Sequence, residues 1–293
     1  MTSKYSIKDL ERLTGIKAHT LRIWEQRYEI LRPERTETNI RYYSNSDLRR
    51  ILNISLLNNN GYKISNIAKL SEPAIISEVE KFLNNYTKES DQIENLMLCL
   101  MDMNEERFEK VINNSVLKFG FENTIEKIFF PFIRHTGNMW QAGMISPAQE
   151  HYISNLIRQK LIVGIDSIKT GASSNKKTYL FFLPTHEFHE LGLLYTYYLA
   201  KARGHQCLYL GQSLPFEDLE SISRQVKPDC LVTILTAPFP ERELNKFLNS
   251  CSEKISSGKF LISGRLFFSG NEKIDTPNNF TVFEDFKDFK KSI

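Results

Sequence analysis

Residues 178–192 read Thr-Tyr-Leu-Phe-Phe-Leu-Pro-Thr-His-Glu-Phe-His-Glu-Leu-Gly. The apolar run Thr178–Leu183 has the length and aromatic content of a buried strand. Pro184 ends it, and a polar segment then leads into a helical pattern over about 188–203. The same unit recurs down the chain. Strands are predicted at Gln206–Leu210, Asp229–Leu235, Lys259–Ser263 and Phe280–Phe283, with helices near 216–226 and 240–256. Alternating strands and helices predict an open parallel sheet covered on both faces, a Rossmann-like (flavodoxin-like) α/β domain over residues 177–293. The polar stretch Lys169–Lys177 is its boundary linker.

Ligands of such sheets bind beyond the carboxyl ends of the strands. In this chain those ends carry Pro184 to Gly192, then Gly211-Gln212-Ser213, then Thr233 and Thr236 to Pro238, then Ser263-Gly264-Arg265. Small and hydroxylated residues at one edge suit a channel for an elongated ligand, although ordinary turns favour the same residue types. His189 is the residue with chemistry to offer. A lone histidine near a helix start is commonly exposed or capping, and His186-x-x-His189 also has the outline of a zinc pair. Zinc wants three or four ligands, and no further Cys/His cluster accompanies these two.

Upstream, from about Ser90 to Lys169, glycine and proline are sparse and apolar residues recur at helical spacing. Ile93, Leu96, Met97 and Leu100 are one set; Ile125, Ile128, Phe129 and Phe132 are another. Helices near 91–102, 104–118, 121–141 and 146–168 predict a four-helix bundle within residues 76–169. Such a bundle serves equally as a dimerisation or spacer domain. Trp140 stands near a helix break at Gly143 and Pro147, and Glu150-His151 follow ten residues later. Adjacent residues project differently from a helix, so at most one of that pair is expected to be fully buried without a partner.

The first 75 residues have a different character. Ser6 is a good N-cap for a helix through Leu13, and Gly15 supplies its stop. A second helix over about Lys17–Tyr28 puts Leu21, Trp24 and Tyr28 on one face and His19, Arg22 and Gln26 on another. Two short helices about a glycine turn make a helix-turn-helix pattern, and equally a helical hairpin with a solvated face. The stretch from Arg32 and Arg35 to Arg41-Tyr42-Tyr43 suits a β-wing whose guanidinium groups grip phosphates.

Composition bounds the rest. The 293 residues are 41% hydrophobic and 25% charged, ordinary for folded soluble proteins and unlike disordered or fibrous ones. The net charge of +3 divides unevenly: residues 1–75 hold 13 Lys/Arg against 8 Asp/Glu, and the remaining 218 hold 25 against 27. A basic head on a slightly acidic body assigns the polyanion to the head. Apolar runs fall far short of the ~20 residues that span a bilayer. The charged N-terminus does not resemble a signal peptide, so a cytoplasmic protein without a membrane partner is expected. Cys99, Cys207, Cys230 and Cys251 are scattered and read as buried thiols of a reducing compartment.

Two resemblances join these pieces. The run T-L-R-I-W-E-Q-R-Y from Thr20, then L-R-P-x-R, then N-I-R-Y-Y-S-N-S-D-L resembles the MerR family of winged-helix regulators over about residues 5–70. It implies a near-palindromic double-stranded DNA operator bound by paired protomers. Arg22 with its neighbours His19 and Gln26 would face the major groove, and Arg35, Arg41 and Tyr42 the DNA backbone. Glu187-x-His189-x-x-Gly192 resembles the D-x-H-x-x-G signature of cobalamin-binding domains, with Glu where most members have Asp. That implies His189 as the lower axial cobalt ligand and Glu187 as the acid orienting it. Gly192, Thr233, Thr236, Ser263 and Gly264 would line the channel for the nucleotide tail. Ser263-Gly264 stands where many members carry Gly-Gly.

With those two ends in place, W-x9-E-H resembles the cap of light-responsive regulators of the CarH/LitR type. Trp140, Glu150 and His151 would then shelter the adenosyl group of adenosylcobalamin. In some members the residue after this tryptophan is a histidine that ligates cobalt after photolysis; here it is Gln141. The expectation is a non-enzymatic repressor that senses adenosylcobalamin, and light, through homo-oligomerisation as dimer or tetramer. The rival readings are a repressor that keeps the fold without cobalamin and a corrinoid methyl carrier.

Overall fold

The computed structural model describes residues 5–293 except 37–38, 60, 84–88, 142, 169–175, 238–239, 256–257, 265–266, 269–273 and 275. The linker over 169–175, Pro238 and Arg265 lie outside the described residues. The chain divides into two compact units, Met1–Ile157 and Arg158–Ile293.

The first unit is helical. Helix α1 (Ile7–Thr14) begins at a capping box in which Ser6 and Asp9 satisfy each other's backbone amides, and it ends at Gly15 with φ 72°. Helix α2 (Ala18–Tyr28) buries Leu21 and Trp24. Two short antiparallel strands follow, β1 (Glu34–Arg35) and β2 (Arg41–Tyr42). Tyr5 extends this wing by bridging Tyr43, and both rings are fully buried. Ser44 and Asp47 then repeat the reciprocal cap at the start of α3 (Asn45–Asn59). Helices α4 (Ile64–Ile67) and α5 (Glu72–Leu83) complete this part.

The four helical stretches read from the middle of the sequence are present. They are α6 (Glu89–Asp102), α7 (Glu105–Phe119), the composite α8 (Phe121–Thr124) to α9 (Phe130–Gln141), and α10 (Pro147–Asp166), whose residues from Arg158 onward belong to the second unit. Between α8 and α9 the chain adopts a π-helical segment, Ile125–Phe129, whose Ile125, Ile128 and Phe129 are buried. Helix α10 opens with Pro147 in its first turn behind a Ser146–Gln149 cap. The two parts of this unit meet across α3 and α6. There Asn59 donates to Glu94 at 3.1 Å and Arg49 pairs with Asp102 at 3.0 Å.

The second unit is a five-stranded parallel sheet of order β4-β3-β5-β6-β7. Its strands are β3 (Thr178–Pro184), β4 (Gln206–Leu214), β5 (Cys230–Ile234), β6 (Lys259–Ser263) and β7 (Phe280–Val282). Helices α11 (Leu191–Ala202), α12 (Phe216–Val226), α13 (Glu241–Lys254) and α14 (Phe286–Ser292) complete it. Counted within the sheet, the order is 2-1-3-4-5, the flavodoxin-like arrangement. Apolar side chains of β3, β5 and β6 fill the core with Leu219, Leu244 and Leu248 of the helices. The strand order is wound outward from β3 to β4 on one side and from β5 to β7 on the other, so the crevice of the sheet opens beyond the ends of β3 and β5. All four cysteines are free thiols; Cys207 is only half-buried, and burial pushes the thiols of Cys99, Cys207 and Cys251 up to about 12.

Candidate cofactor site and nucleic-acid face

The loop from β3 to α11 sits at that crevice. Its centre is Glu187, fully buried in a region where an isolated carboxylate would be costly. Burial pushes its pKa up. The His189 ring and the backbone amides of Ala237, His189 and Thr236 outweigh that and hold it near 2. Oε2 accepts from Thr236 and Ala237 amides at 2.7 Å each, which ties the loop to the end of β5. Oε1 accepts from the His189 amide at 2.9 Å and lies 2.6 Å from its Nδ1. With Nδ1 committed to a carboxylate, Nε2 is the nitrogen through which the imidazole would hold a metal. The His189 side chain is 63% exposed.

Gly192 follows on the first turn of α11. A Cβ there would come within 3.1 Å of Ile234 Cδ1, so the glycine lets the helix pack on β5. The other predicted residues sit at neighbouring strand ends. Thr233 is buried on β5, and its hydroxyl has no hydrogen-bond partner among the described residues. Thr236 presents a hydroxyl in the sequence, whereas its bond to Glu187 is made through the backbone amide. Ser263 is buried at the end of β6, and its carbonyl accepts from Leu235 at 2.8 Å. Gly264 has φ 137°, and a Cβ on it would meet the Leu235 carbonyl oxygen at 1.9 Å. The glycine is therefore demanded by Leu235, whatever ligand the channel holds.

These features fit a corrinoid. An imidazole oriented by a buried carboxylate, and an orphaned buried hydroxyl at the adjacent strand end, are what a bound metal and a polar tail would use. Residues outside the proposed ligand and tail-channel set also build the loop. Ser213 donates its amide to the Glu187 carbonyl at 3.2 Å, and Gln212 Nε2 donates to the Phe188 carbonyl at 3.0 Å. Tyr209 OH donates to Glu190 at 2.8 Å, and Arg158 pairs with the same carboxylate.

In the first unit Trp140, near the end of α9, is 50% exposed. Glu150 and His151, expected to diverge, are turned onto each other, with Glu150 Oε2 2.9 Å from His151 Nδ1. Glu150 Oε1 also accepts from Ser154 Oγ at 2.6 Å. The pair therefore partner each other, the half-buried acid with the exposed imidazole. The Gln141 side chain lies outside the described residues.

The proposed DNA face is divided. His19, Arg22 and Gln26 are all exposed on α2, opposite Leu21 and Trp24. Arg35 is exposed and donates to Asn39 at 2.7 Å. Arg41 is more committed: its Nε pairs with Glu25 at 3.0 Å, and the same carboxylate accepts from Tyr43 OH at 3.0 Å. Tyr42 OH donates to Glu34 across the wing.

Two family models match this chain. Residues 5–72 match the MerR HTH family of regulatory proteins, and residues 92–163 match the B12 binding domain. The second match falls on α6 to α10, so the His189 loop lies beyond it. The HTH-type transcriptional repressor CarH of Myxococcus xanthus is 25% identical over 232 residues, 77% of this chain and 76% of the relative. The repressor CarA of the same organism is 26% identical over 241 residues, 80% of this chain and 78% of the relative. Among solved structures, the monomethylamine corrinoid protein of Methanosarcina barkeri superposes with a TM-score of 0.57. It is 15% identical, with 70% of this chain and 98% of that one covered, and shows the fold. The chain unites a MerR-type helix-turn-helix with a B12 binding domain, and it is homologous to the CarH and CarA repressors over most of its length.

Proposed function

We propose that this chain is a cytoplasmic transcriptional repressor whose DNA binding is governed by adenosylcobalamin, and through it by light. The observation that carries the reading is the Glu187–His189 pair at the crevice of a flavodoxin-like sheet, in a chain that begins with a MerR-type reader. When bound, adenosylcobalamin supplies a cobalt–carbon bond that light cleaves. His189 would hold the cobalt through Nε2, and Glu187 keeps the ring in the tautomer and orientation that this needs. Thr233, Thr236, Ser263 and Gly264 line the tail channel, with Gly192 packing the helix start beside it. Trp140, Glu150 and His151 shelter the adenosyl side.

On the DNA side, His19, Arg22 and Gln26 enter the major groove. Arg35, Arg41 and Tyr42 contact the phosphodiester backbone, Arg41 exchanging Glu25 for a phosphate. The cofactor-loaded state joins protomers, so that several readers engage one operator and gain effective affinity. When the protomers separate, each reader loses that gain and the gene is released.

The test is to load the purified protein with adenosylcobalamin in darkness and record its visible spectrum and oligomeric mass before and after illumination. The reading predicts a coloured oligomer that changes spectrum and dissociates. A colourless protein of constant mass contradicts it. His189→Ala should lose the lower-ligand spectral signature, and an unchanged spectrum would remove that residue from its role.

A further inference from the structure

Glu190 directly follows the proposed cobalt ligand, yet its carboxylate turns away from the crevice. Its side chain is 7% exposed and caps no backbone amide of α11. Both oxygens are engaged from other elements: Oε2 accepts from Tyr209 OH at 2.8 Å, and Oε1 pairs with Arg158 Nε. Tyr209 lies on β4 just before Gly211, whose φ of 80° accompanies a shift in register against β3. That irregularity lets β4 run on to Leu214 alongside the loop, where Gln212 and Ser213 hold the Phe188 and Glu187 carbonyls. Burial and the facing Glu190 carboxylate push the Tyr209 phenol up, so it remains a donor. Arg158 comes from α10, the helix on which Glu150 and His151 both stand about two turns earlier. Further along, α10 accepts a bond at its Ile165 carbonyl from Lys201 of α11 at 3.1 Å.

We infer that Glu190 is a positioning residue for His189, clamped by Arg158 of α10 and Tyr209 of β4. This inference rests on the cobalamin reading. The Glu187 contact sets the ring's tautomer, whereas the Glu190 clamp sets where the backbone presents the ring. A buried carboxylate that lost Arg158 would seek water and draw its backbone along, moving the ring of the residue before it. The part of α10 from Arg158 onward, which lies in the same unit as His189, is thereby coupled to presentation of the cobalt ligand by one side-chain pair.

The experiment uses the full chain loaded with cob(II)alamin, once with ordinary and once with 15N-labelled histidine. Electron paramagnetic resonance reports the axial nitrogen directly: a 14N ligand splits each cobalt line into three, a 15N ligand into two. The wild type should show the label-sensitive pattern. Arg158→Leu and Glu190→Gln should retain corrinoid but lower the histidine-ligated fraction by about five-fold or more, in line with the effect of outer contacts on metal sites. Arg158→Lys should recover most of it by restoring the charge. Tyr209→Phe is the milder variant, and protected β3 amides in hydrogen exchange certify that each variant is folded. Wild-type ligation in all folded variants overturns the positioning role. A wild type whose splitting ignores the histidine label overturns the ligand reading beneath it instead.

Discussion

At the scale of single residues, two positions near the crevice carry opposite costs. Gly264 has room for no side chain, because a Cβ would lie 1.9 Å from the Leu235 carbonyl. Gly264→Ala is expected to cost about 2–4 kcal/mol, as substitutions that force a strained backbone to move do, and thermal unfolding measures it. Thr233 is the reverse case. Its buried hydroxyl lacks a partner among the described residues, so Thr233→Val should raise the stability of the cofactor-free protein by about 1 kcal/mol. The same variant should retain corrinoid less well if that hydroxyl serves the tail. Stabilisation with unchanged retention would assign the hydroxyl no role in binding.

At the scale of elements, the joint between α3 and α6 holds a carboxylate that titrates in the physiological range. Burial, then the charge of Asp91, pushes Glu94 up from 4.5 to about 7, although Asn59 and Ser55 bond to it. A raised acid binds its proton more tightly in the folded state than in the unfolded one. Its favourable contribution is therefore complete below 4.5 and is lost as pH climbs through 7. Glu94→Gln should flatten that decline, which amounts to at most about 1.4 kcal/mol per pH unit. Urea unfolding at pH 5, 6, 7 and 8 follows it, and parallel slopes for both proteins would dismiss the assignment.

The elements also show what the sequence could and could not disclose. Helix α12 is found at the residues read for it, and capping signals at Ser6, Ser44 and Gly15 are local enough to be legible. The helical pattern predicts a start near 188, three residues before α11 begins. The reason is chemical: the Glu187 carboxylate is consumed by three amides and an imidazole, which hold residues 187–189 out of the helix. Gly211 punctuates the apolar pattern and predicts an end for β4 at Leu210, yet the left-handed glycine bends the strand without ending it. Helix α14 was not anticipated, its apolar residues being few. Glu187 and His189 stand two residues apart, so their pairing is visible to a reader of sequence. Arg158 and Tyr209 stand 32 residues before and 19 after Glu190, and no local signal joins them.

At the scale of the whole molecule, the division of charge acquires a location. The excess of basic residues lies in the segment that matches the MerR HTH family, and His19, Arg22, Gln26 and Arg35 are exposed on it. Arg35→Ala should weaken binding uniformly across DNA sequences and lower the salt slope by about 1, as expected for one lost phosphate contact. A changed base preference at constant slope would instead make Arg35 a base reader. Among the described residues no helix is long and apolar enough to cross a membrane.

Reader and corrinoid domain in one chain have a single functional consequence to test, namely that one governs the other. The direct measurement is affinity for the DNA upstream of the protein's own gene, titrated at fixed salt without cofactor, with adenosylcobalamin in darkness, and after illumination. Affinity should rise at least about ten-fold with the cofactor in darkness, a gain within the reach of multivalent engagement, and should fall back in light. Equal affinity in all three conditions would contradict cobalamin control of DNA binding.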